Sequence, residues 1–400
     1  MRKLSLQENI LDNAEKEARK RNLYDFPIVD ADCHYLYTPL EELSDFVEEP
    51  WRRRFREREH GTRSSHTLLP VDLGDRTVEG RMKTMQLFMR QPKPEGEVLP
   101  RVIYPLVDSS RKMGIDYSVV FPTDMLTLGL TPRSDFEVAF AYAYARWMTE
   151  KILPFDDSLL TMLYLPLSNP EASIQIVKEF GDRKGVVGGL VTSVRDQPIH
   201  HNDFMPLFRL LEERELVLGF HTVSHWQEHV FRQFNRFLSA HALGFPFYNM
   251  VQMTNLIVNG IPERFPGLKV LFIEAGVAWI PFMAYRLDNE YMLRPSEAPL
   301  LRKRPSEYMR NFYFTSQPLE MPANPSELEW LFRTFDAESH LLYASDYPHQ
   351  DFDTPASIYD LPFLSEQAKR KILGENALKL FRIDHPVLHA RERAERMSGH

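Results

Sequence analysis

The sequence predicts an α/β fold: eight parallel strands closed into a TIM-type (β/α)8 barrel, with an inserted lid-like segment after the first strand. Three observations lead there. Eight short apolar runs alternate with helix-periodic segments through most of the 400 residues. Carboxylates and histidines close several of those runs, at the end where such a barrel carries its active site. No GxGxxG or GxxxxGK loop follows any run, which turns the reading away from an open nucleotide-binding sheet.

In chain order, residues 1–25 read as a polar, helix-prone lead-in with Glu and Lys spaced for i,i+4 pairs. The first strand is Phe26–Asp32, and residues 26–385 are assigned to one barrel domain. Residues 41–101 are charged, hold five prolines and lack a clean period, so they are taken as an insertion over the strand ends. Further strands are expected at Ile115–Phe121, Leu159–Leu165, Gly185–Val191, Leu216–Phe220, Leu268–Ile273, Phe312–Phe314 and His340–Ser345. Helices are expected at Phe136–Ile152, Pro170–Phe180, Asp203–Arg214, a long region to Asn259, one through Tyr291, Pro325–Phe335 and Ser365–Leu380. Residues 386–400 form a charged tail.

Composition narrows the function. Lys and Arg number 48 against 56 Asp and Glu, a formal charge of −8, so no basic excess offers itself to nucleic acid. The single cysteine, Cys33, rules out an intrachain disulfide and any one-chain zinc site needing two thiolates. No apolar stretch is long enough to span a bilayer, and the charged N-terminus has no signal-like core, so a cytoplasmic protein without a membrane partner is expected.

The chemistry gathers at strand ends. Asp32 and His34 follow the first strand, His221 the fifth, Glu274 the sixth and Asp346 the eighth. Two residues apart on an extended segment, Asp32 and His34 point the same way. Imidazole and carboxylate without thiolate suit Zn, Mn or Fe(II) and do not choose among them. A carboxylate closing an apolar run is costly unless paired or ligated; for Glu274 the plain alternative is a salt bridge to Arg286. Asp346 is placed both to bind metal and to carry a proton, with His225 or His349 as the assisting histidine or acid–base. Arg52 to Arg56 and Arg81 are candidates to clamp a substrate carboxylate, though such runs are usually a solvated face.

The segments Asp30-Ala31-Asp32-Cys33-His34, Phe220-His221, Phe272-Ile273-Glu274-Ala275-Gly276, Ser345-Asp346-Tyr347-Pro348-His349 and Ile372-Leu373-Gly374-Glu375-Asn376-Ala377 resemble the amidohydrolase-related family that includes the aminocarboxymuconate-semialdehyde, resorcylate and carboxyvanillate decarboxylases. The resemblance runs from about Ile28 to Phe381 and implies a distorted (β/α)8 barrel. It implies that Asp32, His34, His221 and Asp346 are metal ligands, and members of that family commonly dimerise. Two positions depart from the pattern. Glu274 stands where the decarboxylases place a histidine, and no lysine follows the fourth strand to form a carbamate bridge.

Three functions compete. The first is metal-dependent hydrolysis or non-oxidative decarboxylation of a small carboxylated, aromatic or cyclic compound. The second is an oxygenase with two Fe or Mn ions, in which Glu274 anchors the second. The third is a catalytically silent subunit paired with a homologous chain. One or two divalent ions per chain and a homo-oligomer or homologous partner are expected accordingly.

Overall fold

The computed structural model describes residues 11, 13–36, 39–60, 93–195, 197–222, 233–234, 236–349 and 351–386. The strands are β1 (Val29–Tyr35), β2 (Tyr117–Pro122), β3 (Leu159–Tyr164), β4 (Val186–Val191), β5 (Val217–His221), β6 (Val270–Ile273), β7 (Phe312–Thr315) and β8 (Leu341–Leu342). They pair in parallel in sequence order. The seam between β8 and β1 closes through backbone bonds: Ala31 N–H donates to Tyr343 O (2.9 Å), Asp346 N–H to Asp32 O (2.8 Å) and His34 N–H to Tyr347 O (2.7 Å). The (β/α)8 barrel expected from the sequence is present.

Each strand alternates between two cores. Val119, Phe121, Met162, Val217, Leu271 and Ile273 fill the barrel interior. Val120, Leu163, Phe220 and Phe272 face the helices outside. In β1 the alternation slips. Val29 and Ala31 belong to the interior and Cys33 and Tyr35 to the outer core, and the pairing with β2 shifts register between Asp30 and Cys33. This bulge turns Asp32 and His34 into the mouth of the barrel.

The longer helices follow from ordinary capping and patterning. They are α1 (Ala14–Lys20), α2 (Leu40–Ser44), α3 (Trp51–His60), α4 (Tyr104–Met113), α5 (Ser134–Trp147), α6 (Pro170–Phe180), α7 (Met205–Glu213), α8 (Phe237–Val258), α9 (Trp279–Leu293), α10 (Pro325–Thr334), α11 (Glu366–Arg370) and α12 (Asn376–Leu380). Asn169 caps α6 by accepting from Ala172 N–H, with Pro170 at the first helical position. Asn324 and Pro325 repeat the device at α10.

Several elements differ from the sequence reading. β1 runs three residues further, so Asp32 and His34 lie within the strand, because His34 and Tyr35 still pair with Phe121 and Pro122 of β2. β8 is only two residues long. Beyond it the N–H groups of Ala344, Ser345 and Asp346 turn to Ser316 Oγ, Asp30 Oδ1 and Asp32 O instead of the β7 ladder. Helix α4 was not anticipated; it supplies the crossover from β1 to β2. The described part of the insertion packs on α5, with Trp147 Nε1 donating to Glu42 (2.8 Å) and Phe55 against Phe140. Its remaining portion, 61–92, lies outside the described residues.

Candidate metal centre

Asp32, His34, His221 and Asp346 are fully buried, and Glu274 is nearly so. Asp32 and His34 come from the bulged end of β1, and His221 is the last residue of β5. Glu274 directly follows β6 and Asp346 lies four residues past the end of β8, both with left-handed backbone, φ 51° and 56°. That conformation costs an L-residue about 1–2 kcal/mol. It is held by Glu274 N–H donating to Thr315 Oγ1 (3.0 Å) and by Asp346 N–H donating to Asp32 O. Both turns tip a carboxylate back over the barrel.

The ligand atoms converge. His34 Nε2 lies 3.2 Å from His221 Nε2, 3.0 Å from Asp32 Oδ1 and 3.3 Å from Asp346 Oδ1. His221 Nε2 lies 3.5 Å from Asp32 Oδ1 and 3.4 Å from Glu274 Oε2. One ligand atom from each of Asp32, His34, His221 and Glu274 falls within 4.8 Å of the others. The same holds for His34, Glu274, Asp346 and His349. His221 Nδ1–H donates to Thr222 O (3.0 Å), which leaves its Nε2 lone pair aimed into the cluster.

The donor set fits a divalent cation. Among the described residues, no donor meets both oxygens of Asp32 or Oδ2 of Asp346 in hydrogen-bond geometry, an expensive state for buried carboxylates. Burial pushes Asp32 upward, but the neighbouring His221 and His34 imidazoles outweigh it and hold the group below the usual carboxylate range. Burial, reinforced by the surrounding carboxylates, raises Glu274 and Asp346 well above that range. A cation among these oxygens and the two facing imidazole nitrogens relieves both the repulsion and the missing partners.

His349 stands behind Asp346, its Nδ1 2.6 Å from Asp346 Oδ1 and its Nε2 3.1 Å from Thr123 Oγ1. Burial, with His34 next to it, lowers His349 well below the ordinary imidazole range. Thr123, His349 and Asp346 thus form one continuous hydrogen-bonded line into the cluster.

Other expectations fare differently. Arg286 pairs with Glu290 on α9 (3.1 Å), because it sits on the outer face of that helix, so the salt bridge considered for Glu274 does not form. Arg56 pairs with Asp45 and Arg54 stacks on Trp51 beside α5. His225 and Arg81 lie outside the described residues. Asp30 was not singled out for a role. It faces the seam, accepts from the N–H groups of Asp32 (3.1 Å) and Ser345 (2.8 Å), and bonds the Ser345 hydroxyl. Burial raises it to about 7 against those bonds. An acid inside an apolar strand was the signal available for it. Thr123 carried none.

A sequence model of the amidohydrolase family matches residues 29–383, and the chain belongs to that family. It is 27% identical to a 6-methylsalicylic acid decarboxylase of Penicillium expansum, over 45% of this chain and 54% of that protein, so the chain spans about half the length of that relative. It is 23% identical to a γ-resorcylate decarboxylase of Rhizobium radiobacter, over 57% of this chain and 71% of that one. Among solved structures, 5-carboxyvanillate decarboxylase from Sphingomonas paucimobilis shares the fold with a TM-score of 0.66 at 20% identity, over 90% of this chain and all of the other. The 5-carboxyvanillate decarboxylase from Novosphingobium aromaticivorans, complexed with manganese, aligns with a TM-score of 0.64 at 17% identity, over 90% of this chain and 97% of that one.

Proposed function

We propose that this member of the amidohydrolase family is a divalent-metal-dependent decarboxylase that releases CO2, without an oxidant, from a small aromatic acid. The observation that carries the proposal is the convergence of Asp32, His34, His221 and Glu274 in the buried barrel mouth. Decarboxylation is preferred over hydrolysis because the relatives named above are decarboxylases of aromatic carboxylic acids.

Asp32, His34 and His221 would hold the ion, with Asp346 or Glu274 completing the set. Once bound, it supplies a Lewis acid for the substrate's carboxylate and adjacent oxygen. Asp346, a buried carboxyl group at the mouth of the barrel, would donate a proton to the ring carbon bearing the carboxylate. The bond to the carboxylate carbon then breaks, its electrons return to the ring, and CO2 leaves. His349 and Thr123 restore the proton along their hydrogen-bonded line. With Glu274 at the position where the resemblance implies a histidine, acid–base work would fall to Asp346 and His349.

The second group, His34, Glu274, Asp346 and His349, supports a two-ion reading. It shares His34 and Glu274 with the first, and an imidazole nitrogen has one lone pair for one ion, so one ion is favoured. The test is elemental analysis of protein reconstituted with Mn2+, followed by CO2 assay against hydroxybenzoates with and without chelator. About one ion per chain and chelator-sensitive CO2 release are expected. Two ions with oxygen uptake would favour the oxygenase, and a chain that binds no metal would return the silent subunit.

A further inference from the structure

A buried polar atom without a partner is costly, and among the described residues several gather at the barrel mouth. A divalent ion accounts for the carboxylates among them. It does not account for Gln317, an uncharged amide that is fully buried and whose Oε1 meets no donor among the described residues.

The fold turns Gln317 inward. In β7, Phe312 and Phe314 belong to the outer core, and Tyr313 packs against the interior one. Thr315 continues the inward face, its Oγ1 accepting from Glu274 N–H (3.0 Å). The extended course persists past the strand, because Ser316 N–H still donates to Leu342 O (2.9 Å). Two residues beyond Thr315, Gln317 therefore lies on the same face, one layer nearer the mouth. Its Nε2 donates to Asp351 O (3.4 Å), in the loop that carries Asp346 and His349. A carbonyl can only accept, so this contact fixes which way the amide is turned. Nitrogen faces Asp351, and Oε1 is left with its lone pairs unused. Asp351 is also one of the charges that raise Glu274 and Asp346. The surroundings of Gln317 are therefore hostile to a second anion.

We propose that Gln317 is a specificity-determining residue: its Oε1 accepts a hydrogen bond from an uncharged donor, a hydroxyl or amino group, on the substrate ring. This rests on the decarboxylase reading for the orientation of the substrate, with its carboxylate and the adjacent oxygen turned to the ion. Gln317 then reads a second ring position. Methylating the donor there, or replacing it by a second carboxylate, leaves a buried acceptor unpaired or facing its like.

The test uses the Mn2+-loaded full chain and dihydroxybenzoic acids with one hydroxyl next to the carboxylate and the second at each other ring position in turn. Each is compared with the same acid methylated on the second hydroxyl. Stopped-flow quenching of tryptophan fluorescence reads binding before turnover, and CO2 release is followed in the same samples. At one ring position, wild type should bind the hydroxyl acid at least about 10-fold more tightly than its methyl ether. Gln317→Met should weaken the hydroxyl acid by about the same 10-fold and leave the ether within about 2-fold, with Mn2+ affinity unchanged. Its ligand-free melting temperature should equal or exceed that of wild type, since an unpartnered buried acceptor is gone; a merely structural glutamine would lower it. Gln317→Asn, which keeps the amide but withdraws it, should lose the preference as well. Wild type without preference at any ring position, or a preference that survives in both folded variants, would overturn the assignment. A Gln317-dependent preference without CO2 release would sink the decarboxylase reading and leave Gln317 as the donor-reading residue. CO2 release without that preference would sink the assignment alone.

Discussion

His34 and His221 face each other across the barrel mouth with Nε2 atoms 3.2 Å apart and rings at 88° to one another. They come from strands at opposite sides of the sheet order, so only barrel closure brings them together. Two lone-pair-bearing nitrogens at that separation need either a shared proton or a cation. The carboxylates of Asp32, Glu274 and Asp346 around them make the cation the better partner.

Replacing either histidine should therefore cost metal before it costs fold. His221→Ala and His34→Ala are each expected to weaken Mn2+ binding by more than the roughly 10–100-fold lost with an outer partner. Calorimetric titration of the chelator-treated protein measures it. Unchanged affinity in both variants would remove the two histidines from the site.

Asp346→Asn should separate binding from turnover. Asn keeps one coordinating oxygen and loses the transferable proton, so metal content should stay close to wild type while kcat falls about 10²–10⁴-fold. His349→Gln should lower kcat less, since it stands one hydrogen bond further back. A fully active Asp346→Asn enzyme would end the proton-carrier assignment.

Asp30 gives the metal-free protein a signature in pH. Its folded-state value of about 7 lies above the ordinary unfolded one near 3.9, so the folded state holds the proton more tightly between those limits. Its contribution is full below about pH 4 and is lost as pH rises through 7, at no more than about 1.4 kcal/mol per pH unit. Asp30→Asn should retain stability relative to wild type as pH rises from 4.5 to 7.5. Urea midpoints at several pH values check this, and parallel curves for the two proteins would contradict it.

The Leu373-Gly374-Glu375-Asn376-Ala377 segment is predicted to be structural. A Cβ on Gly374 would lie 2.0 Å from Pro27 O, a backbone atom that cannot rotate away. Asn376 Nδ2 donates to Glu338 O (2.9 Å) and Leu341 O (3.0 Å), fastening the helical turn after α11 beneath the β8–β1 seam. Gly374→Ala should destabilise by about 1–3 kcal/mol, and Asn376→Ala by a similar about 1–3 kcal/mol. In the metal-loaded folded fraction kcat should be unchanged. Denaturation midpoints with activity per folded molecule test both.

Much of this is legible in the amino-acid sequence. Strand alternation with helices gave the barrel, and acids and histidines at the ends of apolar runs gave all five ligand candidates. What escaped depends on contacts between distant segments. The bulge that aims Asp32 and His34 inward requires the β2 register, and the short β8 reflects N–H groups taken up by Ser316, Asp30 and Asp32. Thr123 reaches His349 across 226 positions, a pairing no local pattern encodes. Arg286 shows the converse: helix periodicity, applied to α9, would already have paired it with Glu290 at i,i+4.

The central claim is metal-dependent carboxylate loss without an oxidant. It is tested most directly by incubating the Mn2+-loaded protein with hydroxybenzoic acids under nitrogen while CO2 and the aromatic product are quantified. The account predicts one CO2 and one decarboxylated ring per substrate consumed, at the same rate with or without oxygen, and none after chelation. Turnover that requires oxygen, or proceeds unchanged after metal removal, would contradict it.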